Sequence, residues 1–151
     1  MGTHCSISIL KEELAGTTYK GIYCHYDGYP EHNGMLLLEN YNTEELVEKL
    51  ISLGDMSTMG EKIEPDPEKG EHNFDKPQDD VCVYYHRDRG EEWQWTQPHE
   101  AKTEQEHYER YKHEYNYLFY KGKWYWNDYG AENWECGKVL WKELTEADCR
   151  M

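Results

Sequence analysis

The stretch from Tyr19 to Gly54 constrains the fold most, because a β-like segment there leads through a polar turn into two short helical segments. Residues 18–26 alternate as a strand does, and residues 27–30 read Asp-Gly-Tyr-Pro, which is typical of a turn. Residues 31–41 can be helical, and a second helix is predicted up to Gly54. Its apolar residues recur at helical spacing: Leu46, Val47, Leu50, Ile51 and Leu53. Two amphipathic helices that follow a strand pack on one face of its sheet.

Further strands are predicted at residues 5–10, 81–85, 115–120 and 124–126, and a polar surface helix is predicted over residues 99–113. Residues 55–80 form an acidic, proline-marked loop, and a loop of this length is typical of a mobile or a functional segment. We therefore predict one α+β domain over residues 1–151. It should hold a mixed sheet of about five or six strands, two consecutive short helices on one face and the polar helix on the surface.

Aromatic rings must supply much of the core. Hydrophobic residues make up only 37% of the chain, but 15% of it is aromatic, with 14 tyrosines and 6 tryptophans. Five cysteines without a CxxC pair favour free, buried thiols in a reducing cytosol. No apolar run approaches the roughly 20 residues of a membrane span. We therefore predict a cytoplasmic protein with no membrane partner.

The net charge is −15, from 31 acidic and 16 basic residues. Such a surface repels nucleic acid and anionic membranes and suits a basic partner. The same charge could also serve solubility alone. If it recognises a partner, the acidic side chains of the loop and the polar helix should form the contact surface: Glu64, Asp66, Glu68, Glu71, Glu104, Glu106 and Glu109.

Two turns repeat one pattern, a β-like run that ends in His-x-Asp and a glycine, at residues 25–28 and 86–90. If their strands run parallel in one sheet, both turns lie at the same edge and could form one crevice. Two imidazoles with carboxylates suit a divalent metal or acid–base catalysis, and the arginines suit an anion. A structural turn network is the other interpretation. The candidate residues are His25, Asp27, His32, His86, Arg87, Asp88, Arg89 and Glu91.

Several segments resemble an uncharacterised family of small acidic accessory proteins from bacteriophages and prophages. They are residues 22–31, with Gly34, Leu37 and Leu38, and residues 50–55, 86–91 and 117–124. The resemblance carries over no catalytic residues, and it implies a gene that acts inside a bacterial host cell. Small acidic phage proteins are often inhibitors of host defence, of the anti-CRISPR or anti-restriction kind, so this role is an analogy.

Two hypotheses follow. The first is a non-enzymatic inhibitor without a cofactor, whose acidic, aromatic-rich surface binds a basic defence nuclease or effector in place of nucleic acid. The alternative is a nucleotide-binding or metal-binding protein, or a phosphoesterase, that uses the two His-x-Asp turns and a divalent metal. The sequence leaves enzymatic activity open and favours the first hypothesis. A homodimer fits the aromatic excess, because interfaces favour Tyr and Trp.

Overall fold

A central hairpin organises the computed structural model, which describes residues 3–128, 132–133 and 138–150. Strands β1 (Cys5–Glu13) and β2 (Gly16–Cys24) are antiparallel, and Cys5 pairs with Cys24. The chain then forms a π-helical turn (Pro30–Gly34) that continues into α1 (Met35–Asn40), followed by α2 (Glu44–Ser52). The predicted order of strand, turn and two helices is therefore confirmed.

The chain after α2 builds one edge of the sheet. Strand β3 (Met56–Thr58) runs parallel to β2, and β4 (Val83–Tyr84) runs antiparallel to β3. Two short helices follow, α3 (Tyr85–Arg89) and α4 (Trp93–Thr96). Strand β5 (His99–Ala101) then pairs antiparallel with residues 19–21 of β2. The edge of β2 thus contacts β5 near its start and β3 at its end.

The second half of the chain builds the other edge. After α5 (Glu104–Arg110), strand β6 (Tyr115–Tyr120) runs parallel to β1 and forms a hairpin with β7 (Lys123–Asp128). A small pair, β8 (Glu132–Asn133) and β9 (Lys138–Val139), precedes β10 (Lys142–Glu143) and a 3₁₀ turn (Glu146–Cys149). The order of the main sheet is β10-β7-β6-β1-β2-β3-β4, with β5 also paired to β2. The α+β class is confirmed, and the described residues give this sheet eight strands.

Aromatic rings fill the core between the sheet and the helices, as predicted. The buried rings of Tyr41, Tyr84, Tyr117, Phe119 and Trp124 pack in one cluster with aliphatic residues of β1, β2, α1 and α2. A buried tyrosine needs a partner for its hydroxyl group. The hydroxyl of Tyr41 donates to Gly60 O at 2.6 Å, that of Tyr84 to Leu50 O at 2.6 Å, and that of Tyr117 to Gly28 O at 2.7 Å.

Two predicted segments differ from the structure. Residues 55–80 are not one loop, because they begin with β3 and contain a 3₁₀ turn at Pro67–Lys69. The predicted helix over residues 99–113 is instead β5 followed by the shorter α5, and both His107 and Tyr108 of α5 are buried. Four cysteines are free and buried, and Cys136 lies outside the described residues.

Candidate functional site

The first His-x-Asp turn follows β2 and is fixed by backbone contacts. His25 N donates to Met56 O at 3.0 Å, and Gly28 N donates to Thr3 O at 2.8 Å. Asp27 has a φ of 57°, and its carboxylate accepts a hydrogen bond from the Tyr29 hydroxyl at 3.2 Å. A Cβ atom on Gly28 would lie 2.7 Å from Cys5 Cβ, so only glycine fits there.

Around His25 the structure places a hydrogen-bonded group of His4, Tyr23 and His25, which we call the histidine–tyrosine cluster. Because a carbonyl oxygen only accepts, His4 Nδ1 donates to His25 O at 2.9 Å. The Tyr23 hydroxyl lies 2.6 Å from His25 Nδ1 and 3.0 Å from His4 Nδ1. These partners assign the Tyr23 proton to a bond with His25 Nδ1 and leave His25 Nε2 protonated.

Burial disfavours the charged forms of Tyr23 and His25. Burial raises the pKa of Tyr23 to about 12. Burial, and then the nearby His4, lowers the pKa of His25. The ring of His113 lies 5.1 Å from that of Tyr23, and burial lowers the pKa of His113 to about 4. Among the described residues, no carboxylate hydrogen-bonds to the side chain of Tyr23 or of His25.

Asp55 completes this part of the sheet, at the point where β2 passes from β5 to β3. Its Oδ1 accepts a hydrogen bond from Tyr23 N at 2.9 Å, so a carboxylate takes the place of a strand there. Burial raises the pKa of Asp55 to about 6. Sequence reasoning missed Asp55, His4 and His113. These residues come from three separate segments of the chain. The one local signal in the sequence is the predicted helix end at Gly54, which places Asp55 directly after a helix.

The second His-x-Asp turn is a structural network. Asp88 Oδ2 accepts from Tyr84 N at 2.8 Å, and Asp88 Oδ1 accepts from Arg87 Nε at 2.9 Å. His72 Nε2 lies 3.4 Å from Asp88 Oδ2, and both of these side chains are almost fully buried. Arg87 also donates to Ile63 O at 2.7 Å and to Cys82 O at 2.9 Å.

The remaining residues of the turns also bind within the protein. His86 Nδ1 donates to Glu91 O at 2.6 Å, and the Arg89 guanidinium lies 4.6 Å from the centre of the Phe74 ring. His32 Nδ1 lies 2.8 Å from Asn33 Oδ1. The rings of His86 and His32 and the guanidinium of Arg89 are therefore engaged by neighbours within the protein, whereas Glu91 contributes its backbone oxygen and is exposed.

The condition on which the two turns would lie at one edge of the sheet, that their strands run parallel, is not met. Because β3 lies between β2 and β4 and is antiparallel to β4, strands β2 and β4 run in opposite directions. His25 and Asp27 therefore do not share an edge with His86 and Asp88 through parallel strand ends. In the described part of the chain, no group of three or more His, Cys, Asp or Glu residues is placed to hold a metal ion. The metal-dependent alternative stays a prediction.

No family model, curated protein or solved structure matches this chain. Among the described residues, no helix is long and apolar enough to cross a membrane.

The acidic residues named above divide into two kinds. Five of them are exposed: Glu64, Glu68, Glu71, Glu106 and Glu109. The Asp66 carboxylate accepts from Glu68 N at 2.9 Å and caps the 3₁₀ turn. Glu104 accepts from Val139 N and from Trp141 Nε1, each at 3.1 Å, so its carboxylate faces the protein rather than a partner.

Partly buried hydrogen bonds fix residues 61–80, which we call the acidic segment. Gln78 N donates to His72 Nδ1 at 3.0 Å, and Gln78 Nε2 donates to Asp66 O at 2.9 Å. The backbone of Cys82 donates to Lys62 O at 2.8 Å. His72 also joins the segment to the Asp88 network described above. The acidic segment is therefore a folded part of the domain, and seven of its eight acidic residues are exposed.

Proposed function

We propose that this protein inhibits a bacterial defence nuclease or effector by binding its basic, nucleic-acid-binding surface. The observation that carries the proposal is the fold of the acidic segment. This segment has eight acidic residues and three lysines. Its exposed carboxylates belong to Glu61, Glu64, Glu68, Glu71, Asp75, Asp79 and Asp80. A row of fixed negative charges can take the place of phosphate groups in a basic groove.

Preorganisation supports this role. A mobile acidic loop would lose conformational entropy on binding, whereas a segment held by Gln78 and His72 has already lost it during folding. The eight acidic residues outnumber the three lysines of the segment, of which Lys76 lies 3.4 Å from Glu71, so their mutual repulsion is balanced only in part. A basic partner would relieve that repulsion.

The resemblance to phage and prophage accessory proteins supports the biological setting of the proposal. A phage-encoded inhibitor acts in the cytoplasm of the bacterial host cell, where defence nucleases bind DNA or RNA. Its mechanism needs neither a cofactor nor a covalent step. Binding excludes nucleic acid from the partner, and the partner's nuclease activity falls for that reason.

The test begins with the full-length protein immobilised at low salt, exposed to a lysate of a defence-proficient bacterial host. We expect a basic nuclease or effector to bind, and its cleavage of nucleic acid to fall when the purified inhibitor is added. The dissociation constant should rise about tenfold between 50 and 300 mM NaCl, because exposed charges are screened over the Debye length.

A charge-matched pair of variants locates the contact. The triple variant Glu64→Gln, Glu68→Gln, Glu71→Gln removes three carboxylates from the acidic segment and should weaken both binding and inhibition. The control Glu13→Gln, Glu39→Gln, Glu45→Gln removes the same charge from other exposed positions. Equal effects of the two variants, or binding that does not depend on salt, would contradict the proposal.

A further inference from the structure

A cleft of about 440 Å³ lies between β2, α4, β5 and the end of α5, and no residue of the acidic segment lines it. This volume falls in the lower part of the range for small-molecule sites, which is roughly 300–1,000 Å³. The residues that matter for its chemistry are Lys20, Trp93, Trp95, His99, Glu100 and Arg110. Neither His-x-Asp turn lines it, although His86 packs against the ring of Trp93 at 5.2 Å.

Two tryptophans form one wall, and both are exposed. The side chain of Trp93 is 39% exposed and that of Trp95 is 74% exposed, although burying an indole would normally stabilise the fold. An indole left in solvent beside a cleft offers a flat surface on which another ring can stack. This wall therefore favours a planar aromatic ligand.

The wall is rigid even though α4 is short. Asp55 N donates to Thr96 O at 2.7 Å, and Gln97 N donates to Trp93 O at 2.9 Å. A Cβ atom on Gly54 would lie 2.4 Å from Thr96 O, so the glycine permits the close approach that fixes α4. A ligand that stacks here does not have to order the helix first.

Two cations face the same cleft. Neither Lys20 nor Arg110 forms an ion pair with a described residue, although the protein carries an acidic excess of 15 charges. Arg110 is steadied at 5.8 Å from the Tyr111 ring centre. Glu100 lies directly opposite Lys20 in the β2–β5 register and offers an acceptor. Glu100 stands against Lys20 and Arg110 in the lining, and Arg110 also interacts electrostatically with Asp55. At most one positive charge is left over, which suits one anionic group rather than a polyphosphate.

We propose that this cleft binds a nucleoside monophosphate, with its base stacked on Trp93 and Trp95 and its phosphate on Lys20 and Arg110. Glu100 accepts a hydrogen bond from a ribose hydroxyl or a base N–H group. The site is separate from the acidic surface of the proposed function. Loss of one therefore leaves the other intact.

Titration of the full-length protein with AMP, GMP, CMP or UMP tests this proposal by tryptophan fluorescence and by calorimetry. We expect saturable binding of at least one nucleotide, tighter than that of its nucleoside or of inorganic phosphate alone. Trp95→Ala should weaken it about tenfold, because stacking of a base on an aromatic side chain contributes on that scale. Arg110→Gln should weaken the nucleotide but not the nucleoside.

Lys49→Gln is the matched control, because it removes one exposed cation from α2 and should leave nucleotide binding unchanged. Thermal unfolding checks that each variant is folded, and Trp95 is exposed enough for its variant to keep the core. The proposal is overturned if none of the four nucleotides binds saturably at millimolar concentration. It is also overturned if nucleoside and nucleotide bind equally, or if only single-stranded oligonucleotides bind.

Discussion

Asp88 is the residue on which the second turn depends, because its two oxygen atoms serve Tyr84 N, Arg87 and His72. We expect Asp88→Asn to lower the free energy of unfolding by about 3 kcal/mol, because it removes the buried charge that the half-buried Arg87 faces. Urea unfolding of the purified variant measures the change.

Glu91→Gln is the control for that measurement. It neutralises an exposed carboxylate in the same turn and should change the free energy of unfolding by less than about 0.5 kcal/mol. If both variants lose the same small amount of stability, the Asp88 network does not hold the turn.

His107 should give the protein a marked pH dependence. Its side chain is buried with Nε2 at 2.8 Å from Ser8 Oγ, and burial lowers its pKa to about 4. The unfolded chain takes up this proton near pH 6.5, so the stability contributed by neutral His107 is full above that pH and is lost as pH falls toward 4. The slope from one such group approaches about 1.4 kcal/mol per pH unit.

The variant His107→Gln should flatten the dependence of the unfolding free energy on pH between 6.5 and 4.5. Asp55 acts in the opposite direction, because its raised pKa makes the fold gain stability as pH falls through 6, and it does so in both proteins. The difference between wild type and variant therefore isolates His107. Identical slopes would show that this imidazole is not held neutral.

At the scale of elements, Asn42 and Thr43 are two candidates for the N-cap of α2. The sequence resembles a capping box at Asn42 and Glu45, but the structure has Thr43 as the N-cap, and its Oγ1 accepts from Leu46 N at 3.2 Å. Thr43→Ala should lower the unfolding free energy by about 1 kcal/mol. Asn42→Ala should change it by less than about 0.5 kcal/mol, and a reversed order in thermal unfolding would place the cap at Asn42.

Elements of six or more residues were predictable from local pattern, whereas short strands were not. The alternation of β1, β2 and β6 and the apolar stripe of α2 are visible in the sequence. Strands of two or three residues, such as β3 and β4, have no period to detect, and their pairing is decided by tertiary contacts. Because the sequence does not reveal β3, it leaves the direction of β4 relative to β2 open, and the convergence of the two His-x-Asp turns depends on that direction.

The candidate site was predictable only in part for the same reason. His25 and the acidic residues of the segment could be named because they lie within readable motifs. The partners of Tyr23 are His4, which precedes β1, and His113, in the loop after α5, and Asp55 enters through a gap in strand pairing. Contacts over such sequence distances follow from topology, which local periodicity does not contain.

At the scale of the whole molecule, the charge of −15 should make stability depend on ionic strength. Self-repulsion opposes the compact state, and salt screens it. We expect the free energy of unfolding to rise between 10 and 150 mM NaCl at pH 7. The variant Glu64→Gln, Glu68→Gln, Glu71→Gln has three fewer negative charges, so its free energy of unfolding should rise less over the same range of salt than that of the wild type. A stability that falls with salt would indicate that attractive ion pairs outweigh the repulsion.

The parallel pairing of β1 with β6 has a consequence for synthesis of the chain. Cys5 pairs with Tyr115, so about 110 further residues must be synthesised before β6 can cover the edge of β1 that β2 leaves free. At roughly 5–20 residues per second, the ribosome leaves that edge open for about 5–20 seconds. A nascent chain in this state offers a template for aggregation or for a chaperone. A premature stop codon before β6 should therefore give an insoluble or degraded fragment rather than a smaller folded protein.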